Sequence, residues 1–166
     1  MDAIEIIEGL YRQYSLNIQR VCFLYLGDIA ASEDAMQDTF LKAHEKYNSF
    51  QGKSDIKTWL TRIAINTCKD MLRKEKRREI IVFSEDIQKK QNDIMNSEET
   101  MNKLLVTEAI QKLPQKLREV VILFYYQELS TKEISNILRI PRTTVEFRLK
   151  KARIEIKRMM EVSFYE

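Results

Sequence analysis

The stretch Ser130-Thr131-Lys132-Glu133-Ile134-Ser135-Asn136-Ile137-Leu138-Arg139-Ile140-Pro141-Arg142-Thr143-Thr144-Val145-Glu146-Phe147-Arg148-Leu149-Lys150-Lys151-Ala152 spells out two helices and the turn between them. Ser130 and Glu133 form a capping box, in which the hydroxyl accepts from the Glu133 amide and the Glu133 side chain reaches back. Ile134, Ile137 and Leu138 give the first, short helix its apolar face. Arg139-Ile140-Pro141 makes a tight turn, with Pro141 suited to the start of the next helix. Val145, Leu149, Ala152 and Ile156 then recur four, three and four apart, the buried stripe of a longer helix. A short helix, a three-residue turn and a longer basic helix match the motif whose second helix enters the major groove of DNA.

The face of that second helix opposite Val145 and Leu149 carries Thr143, Glu146, Phe147 and Lys150, with Thr144 near its start and Lys151 on one flank. Glu146 suits a cytosine amino group and Phe147 a thymine methyl, whereas Arg142, Arg148 and Lys151 are placed for phosphates. The bland alternative is a helical hairpin packed on its own domain. Phe147 argues against it, because an outward aromatic among cations is costly unless something covers it.

Charge is distributed to the same effect. The net charge of +3 conceals eight acids against three bases from Met1 to Glu45, six bases against two acids from Lys69 to Arg78, and eight against two from Arg139 to Arg158. Two basic segments in a nearly neutral chain point to two patches facing a polyanion.

Working towards the N-terminus, only 3 Gly and 2 Pro interrupt 166 residues, which favours long helices over a sheet. Ile4, Ile7, Tyr11, Tyr14, Ile18, Val21 and Tyr25 fall on one stripe, and Gly27 is placed to end that helix in a left-handed cap. Ser32 is the expected N-cap of the next helix, which buries Met36, Phe40, Ala43 and Tyr47. A loop from Asn48 to Asp55 leads to a long helix that buries Ile56, Leu60, Ile63, Thr67 and Met71. Residues 82–102 are polar and mixed in charge, a connecting segment between helical domains at 1–81 and 103–166. Helical spacing returns at Leu104, Leu105, Ile110 and Leu113, and Pro114 opens a further helix carrying Leu117, Val120, Val121 and Phe124. The expected fold is all-α.

Arg62, Asn66, Lys69, Arg73 and Lys76 form one polar stripe opposite Ile56, Leu60 and Ile63, a row of donors of the kind that phosphates need. Asn66 can also bond a base. Tyr47, Phe50 and Trp59 lie near the preceding loop, where aromatics suit stacking with unpaired bases. A core tryptophan is the alternative for Trp59.

The inventory for catalysis is nearly empty. His44 is the only histidine, and neither a Gly-rich phosphate loop nor a nucleophile signature accompanies it. Cys22 and Cys68 sit among apolar helical neighbours, as buried free thiols would, and with one His they cannot complete a zinc site without carboxylates. No cofactor, metal, small-molecule substrate or enzymatic activity is expected. The longest apolar run, Val120 to Tyr126, is too short for a bilayer, and an N-terminus opening with Asp2, Glu5 and Glu8 does not resemble a signal peptide.

These segments together resemble the sigma factors of the extracytoplasmic-function group in the sigma-70 family, bacterial initiation factors that retain only regions two and four. Glu33-Asp34-Ala35-Met36-Gln37-Asp38-Thr39-Phe40-Leu41-Lys42-Ala43 is similar to the region-two helix that binds the polymerase clamp. Lys57-Thr58-Trp59-Leu60-Thr61-Arg62-Ile63-Ala64-Ile65-Asn66 resembles the helix that engages the −10 element. Leu113-Pro114, Leu117-Arg118-Glu119-Val120 and Leu129-Ser130 through Lys151-Ala152-Arg153 resemble region four, which reads the −35 element.

The resemblance implies a core-polymerase face of Asp34, Gln37, Asp38 and Leu41. It implies a −10 site of Asn48, Phe50, Lys53, Trp59, Arg62, Asn66, Lys69 and Arg73, with the loop forming a pocket for a flipped base. It implies a −35 site from Arg142 through Lys151. Partners would be core RNA polymerase, promoter DNA and an anti-sigma factor, often membrane-bound, with the chain itself cytoplasmic. Arg139 stands where the family often has Gly, and Glu146 and Phe147 where it often has a basic and a small residue, so the −35 preference does not carry over. A free-standing helix-turn-helix regulator is the alternative reading of the same residues, one that would bind duplex DNA without polymerase.

Overall fold

In the computed structural model, which describes residues 2–81 and 98–163, every regular element is helical. Helix α1 spans Ala3–Leu26, α2 Ile29–Lys46, α3 Ile56–Ile81, α4 Glu98–Lys112, α5 Gln115–Val121, α6 Thr131–Leu138 and α7 Arg142–Ser163. Most of the expected connecting segment, residues 82–97, lies outside the described residues; 98–102 already belong to α4.

Asp2 opens α1 through a capping box with Glu5, and Gly27 closes it at φ 73°, in the left-handed conformation that glycine adopts without steric cost. The next helix begins earlier than Ser32 suggests. Asp28 is its N-cap, accepting from the Ala31 amide at 2.7 Å, while Ser32 is buried inside the helix and donates to the Ile29 carbonyl at 2.7 Å. Asp55 performs the same service for α3, accepting from the Thr58 amide and hydroxyl at 2.8 and 3.0 Å.

Helices α1, α2 and α3 pack as a bundle around Ile18, Val21, Cys22, Tyr25, Phe40, Leu60, Ile65 and Cys68. The N-terminal end of the α1 stripe is less enclosed than its spacing implies. Ile4 is exposed, and Tyr11, also exposed, rests edge-on against Phe40 with ring centroids 5.0 Å apart. Cys22 and Cys68 occupy the core as free thiols; contact with Cys22 and burial push the Cys68 pKa up, so it stays protonated.

The second bundle is built from α4 to α7 around Ile110, Leu113, Val120, Ile122, Leu123, Ile134, Val145, Leu149 and Ala152. Between α5 and α6 the chain widens into a π-helical turn, Ile122–Tyr126, in which the Gln127 amide reaches the Ile122 carbonyl at 3.1 Å. The α6–α7 pair matches the sequence expectation closely. Ser130 and Glu133 form both bonds of the capping box, at 3.1 and 2.7 Å.

Arg139 ends α6 at φ 55°, a left-handed conformation that costs a residue with a Cβ about 1–2 kcal/mol. Glycine relieves that strain but loses more chain entropy on folding. Arg139→Gly is therefore expected to raise stability by about 0.5–1 kcal/mol, read as a higher urea midpoint at unchanged slope. A lower midpoint would show that the Arg139 side chain supports the turn.

Candidate nucleic-acid interface

The capped turn sets the direction of α7. The Pro141 carbonyl accepts from the Thr144 and Val145 amides at 3.0 and 3.2 Å, and Ser135 donates to the Ile140 carbonyl at 2.6 Å, tying the end of α6 to the turn. With Val145 and Leu149 buried beneath, the outer face presents Thr143, Glu146, Phe147, Lys150 and Lys151, all exposed, with Thr144 half-buried beside them. Phe147 is 64% exposed. It is surface, not core. Arg142 lies against Glu146 at 3.2 Å and donates to the Thr131 hydroxyl at 2.9 Å, so the start of the helix is held in a defined shape.

The α3 surface is organised by the loop before it. Phe50 and Trp59 pack with ring centroids 4.9 Å apart, and Tyr47 meets Trp59 edge-on at 6.4 Å. Trp59 is half-buried, packed on the core and against Phe50 and Tyr47. Asn48 and Lys53 are exposed on the loop, whose turn at Gly52 has φ +65°. Along α3, Asn66 and Arg73 are exposed, Arg73 pairing with Asp70 at 3.3 Å. Arg62 is half-buried, and its Nε has no hydrogen-bond partner among the described residues.

On α2, Asp34, Gln37 and Leu41 are exposed and Asp38 is half-buried, paired with Lys42 at 3.0 Å. Spacings of three and four put them on one face. Leu41 is 66% exposed. No group of His, Cys, Asp or Glu among the described residues could hold a metal. No described helix is long and apolar enough to cross a membrane.

Two of the expected DNA contacts, on different helices, meet one buried carboxylate. Lys69 of α3 lies 3.1 Å and Arg148 of α7 3.8 Å from the carboxylate of Glu119 on α5. Glu119 is 4% exposed and also accepts from the Tyr25 hydroxyl at 3.1 Å. Burial first, and then the Glu119 charge, push the Tyr25 pKa up, which keeps the phenol a donor. Gln115 donates to the Tyr25 oxygen at 3.0 Å, and Arg118 bonds the Tyr25 carbonyl. Glu119 and Tyr25 gave no signal as a site in the sequence, because each lies in an apolar helical pattern and their partners come from other helices.

Family models match both halves of the chain: sigma-70 region 2 over residues 10–78 and sigma-70 region 4 over residues 103–156. The chain belongs to the sigma-70 family. It is similar to the RNA polymerase sigma factor YlaC of Bacillus subtilis, 33% identical over 161 residues, with 95% of this chain and 93% of that protein covered. The ECF RNA polymerase sigma factor SigW of the same organism is 31% identical, covering 96% and 89%. The fold is shared with the sigma factor RpoE of Bartonella quintana, solved with the anti-sigma factor NepR, at a TM-score of 0.75 and 22% identity over 93% of this chain and 96% of that one. It is shared too with CnrH, solved with the cytosolic domain of CnrY, at a TM-score of 0.69 and 19% identity over 94% and 88%. The region 2 match of this sigma factor falls on α1–α3, and the region 4 match on α4–α7. As a transcription initiation factor of the extracytoplasmic-function group it acts with core RNA polymerase on promoter DNA.

Proposed function

We propose that this sigma factor holds core polymerase through Asp34, Gln37, Asp38 and Leu41, reads the −35 element with Arg142, Thr143, Thr144, Glu146, Phe147, Arg148, Lys150 and Lys151, and engages the −10 strand with Asn48, Phe50, Lys53, Trp59, Arg62, Asn66, Lys69 and Arg73. It catalyses no reaction of its own. The observation that carries the reading is Phe147, an aromatic 64% exposed among cations on the second helix of a capped helix-turn-helix, which gains apolar burial only against a partner. An anti-sigma factor, the kind of partner seen with the solved relatives, would hold the chain inactive in the cytoplasm, or at the membrane if that partner is anchored there.

Run-off transcription with bacterial core polymerase, on genomic fragments that include the region upstream of this chain's own gene, tests the function. Discrete new transcripts are expected and supply the promoter. No transcript, with tight duplex binding by the chain alone, would make it a free-standing regulator. On the promoter so found, Glu146→Ala or Phe147→Ala is expected to cost about 1–3 kcal/mol and relax preference at one −35 position. Lys151→Ala is expected to weaken binding to all sequences and to flatten its salt dependence. Equal loss on all sequences for Phe147→Ala would place that side chain outside the base-reading face.

A further inference from the structure

Residue type alone assigns Arg142 to a phosphate and Glu146 to a cytosine, as separate contacts. The structure joins them. Arg142 is the first residue of α7 and Glu146 lies one turn further on. The Arg142 Nε stands 3.2 Å from a Glu146 carboxylate oxygen and donates to the Thr131 hydroxyl at 2.9 Å. Thr131 is the first residue of α6, so one guanidinium is held from both helices of the motif. Both contacts run through Nε. They leave out the two terminal nitrogens, the parallel donors that meet O6 and N7 of a guanine.

The pair does little for stability. Its side chains are 64% and 52% exposed, where water screens an ion pair and its attraction is weak. A cation at a helix N-terminus is also opposed by the helix dipole. What the two contacts do is restrict a flexible side chain before DNA arrives, which lowers the ordering cost of a geometrically demanding contact. A phosphate needs no such restriction, since a point charge on a free stem serves it well. Position agrees, because the N-terminal residues of a recognition helix are those that reach base edges. Glu146 gains too: an unpaired carboxylate facing DNA is repelled by the phosphates, and Arg142 beside it offsets that repulsion.

We propose that Arg142 is a specificity-determining residue whose terminal nitrogens read one guanine of the −35 element, with Thr131 and Glu146 as positioning residues that aim it. This rests on the assignment of α7 to the −35 element. Glu146 then has no base of its own. Substitutions of Glu146, Thr131 and Arg142 all act on one base pair, through one guanidinium.

Promoter binding by holoenzyme tests this, on the promoter found by run-off transcription and on duplexes in which each −35 base pair is changed in turn. The readout is the ratio between base pairs at each position, so the general gain in affinity from removing a carboxylate drops out. Arg142→Ala is expected to weaken binding to the unchanged promoter by between about fivefold and a hundredfold, and to leave all four base pairs at one position bound alike. Arg142→Lys keeps the charge without the fork, and is expected to lose the same preference at wild-type salt dependence. Glu146→Ala and Thr131→Val are expected to relax that same position by about threefold or more, with no further effect on any ratio once Arg142 is alanine. Uniform loss on every duplex, rescued by lysine, would make Arg142 a phosphate contact and overturn the proposal. So would relaxation by Glu146→Ala at a different base pair, additive with Arg142→Ala, since Glu146 would then read a base by itself. Preference that survives Arg142→Ala unchanged overturns the proposal alone. A wild-type holoenzyme without preference at any −35 pair overturns the assignment of α7 and the proposal with it.

Discussion

A chain carrying Leu41→Arg is expected to melt where the wild type melts and to lose its hold on core polymerase. Leu41 is 66% exposed on α2, so the free protein gains little from its burial, and exposed substitutions of this kind usually shift stability by no more than about 0.5 kcal/mol. Its neighbours on the face are Asp34, Gln37 and Asp38, which leave it the one large apolar group there. Apolar anchors at the centre of an interface commonly carry about 2 kcal/mol or more, a factor of roughly thirty in affinity. An arginine at that point adds the cost of burying a charge without an assigned partner. Titration against labelled core polymerase, beside a thermal melt, decides it. Affinity within twofold of the wild type would move the polymerase contact off this face, and a lowered melting temperature would mean that Leu41 supports the bundle.

The expectation for Leu41 came from sequence resemblance, and the structure adds that the side chain is free to make such a contact. Other features were legible for local reasons. Gly27, the Ser130–Glu133 box and Pro141 mark helix ends because each satisfies backbone groups within four residues, so no distant information is needed to place them. The α2 start was misplaced because Asp28 and Ser32 are both good N-caps, and only the tight turn at Gly27 selects the first. The π-helical turn at Ile122–Tyr126 is hidden in an unbroken apolar run that fits a regular helix equally well.

The Glu119 contact could not be read from periodicity at all. Its partners Tyr25, Lys69 and Arg148 come from α1, α3 and α7, and the sequence places each of them adequately elsewhere: Tyr25 in the core, Lys69 and Arg148 against phosphates. A charged residue in an apolar helix normally flags an exposed edge. Here it flags a buried charge compensated by residues far along the chain, which is visible only once the helices are packed.

Ile134→Ala is expected to have the largest effect on stability. Ile134 is fully buried on α6 and belongs to the same core as Val145 and Leu149, which fix α7 beneath its outer face. Removing three carbons from such a site costs the lost transfer energy and the cavity left behind, about 3–4 kcal/mol for a well-enclosed isoleucine. Alpha-6 is only eight residues long, too short to persist on its own helical propensity, so its place depends on that side chain and on the capping box. Loss of this magnitude is a large share of a small domain's total stability of roughly 5–15 kcal/mol. The variant is expected to show a much lower urea midpoint and to lose −35 duplex binding on warming before the wild type does, while core polymerase still binds through α2. Phe147→Ala provides the contrast, since it removes more apolar surface from the same motif yet leaves the melt unchanged. A cost below about 1 kcal/mol for Ile134→Ala would mean that α6 is not seated on α7 as described, and the alignment of Glu146, Phe147 and Lys150 toward a groove would lose its mechanical basis.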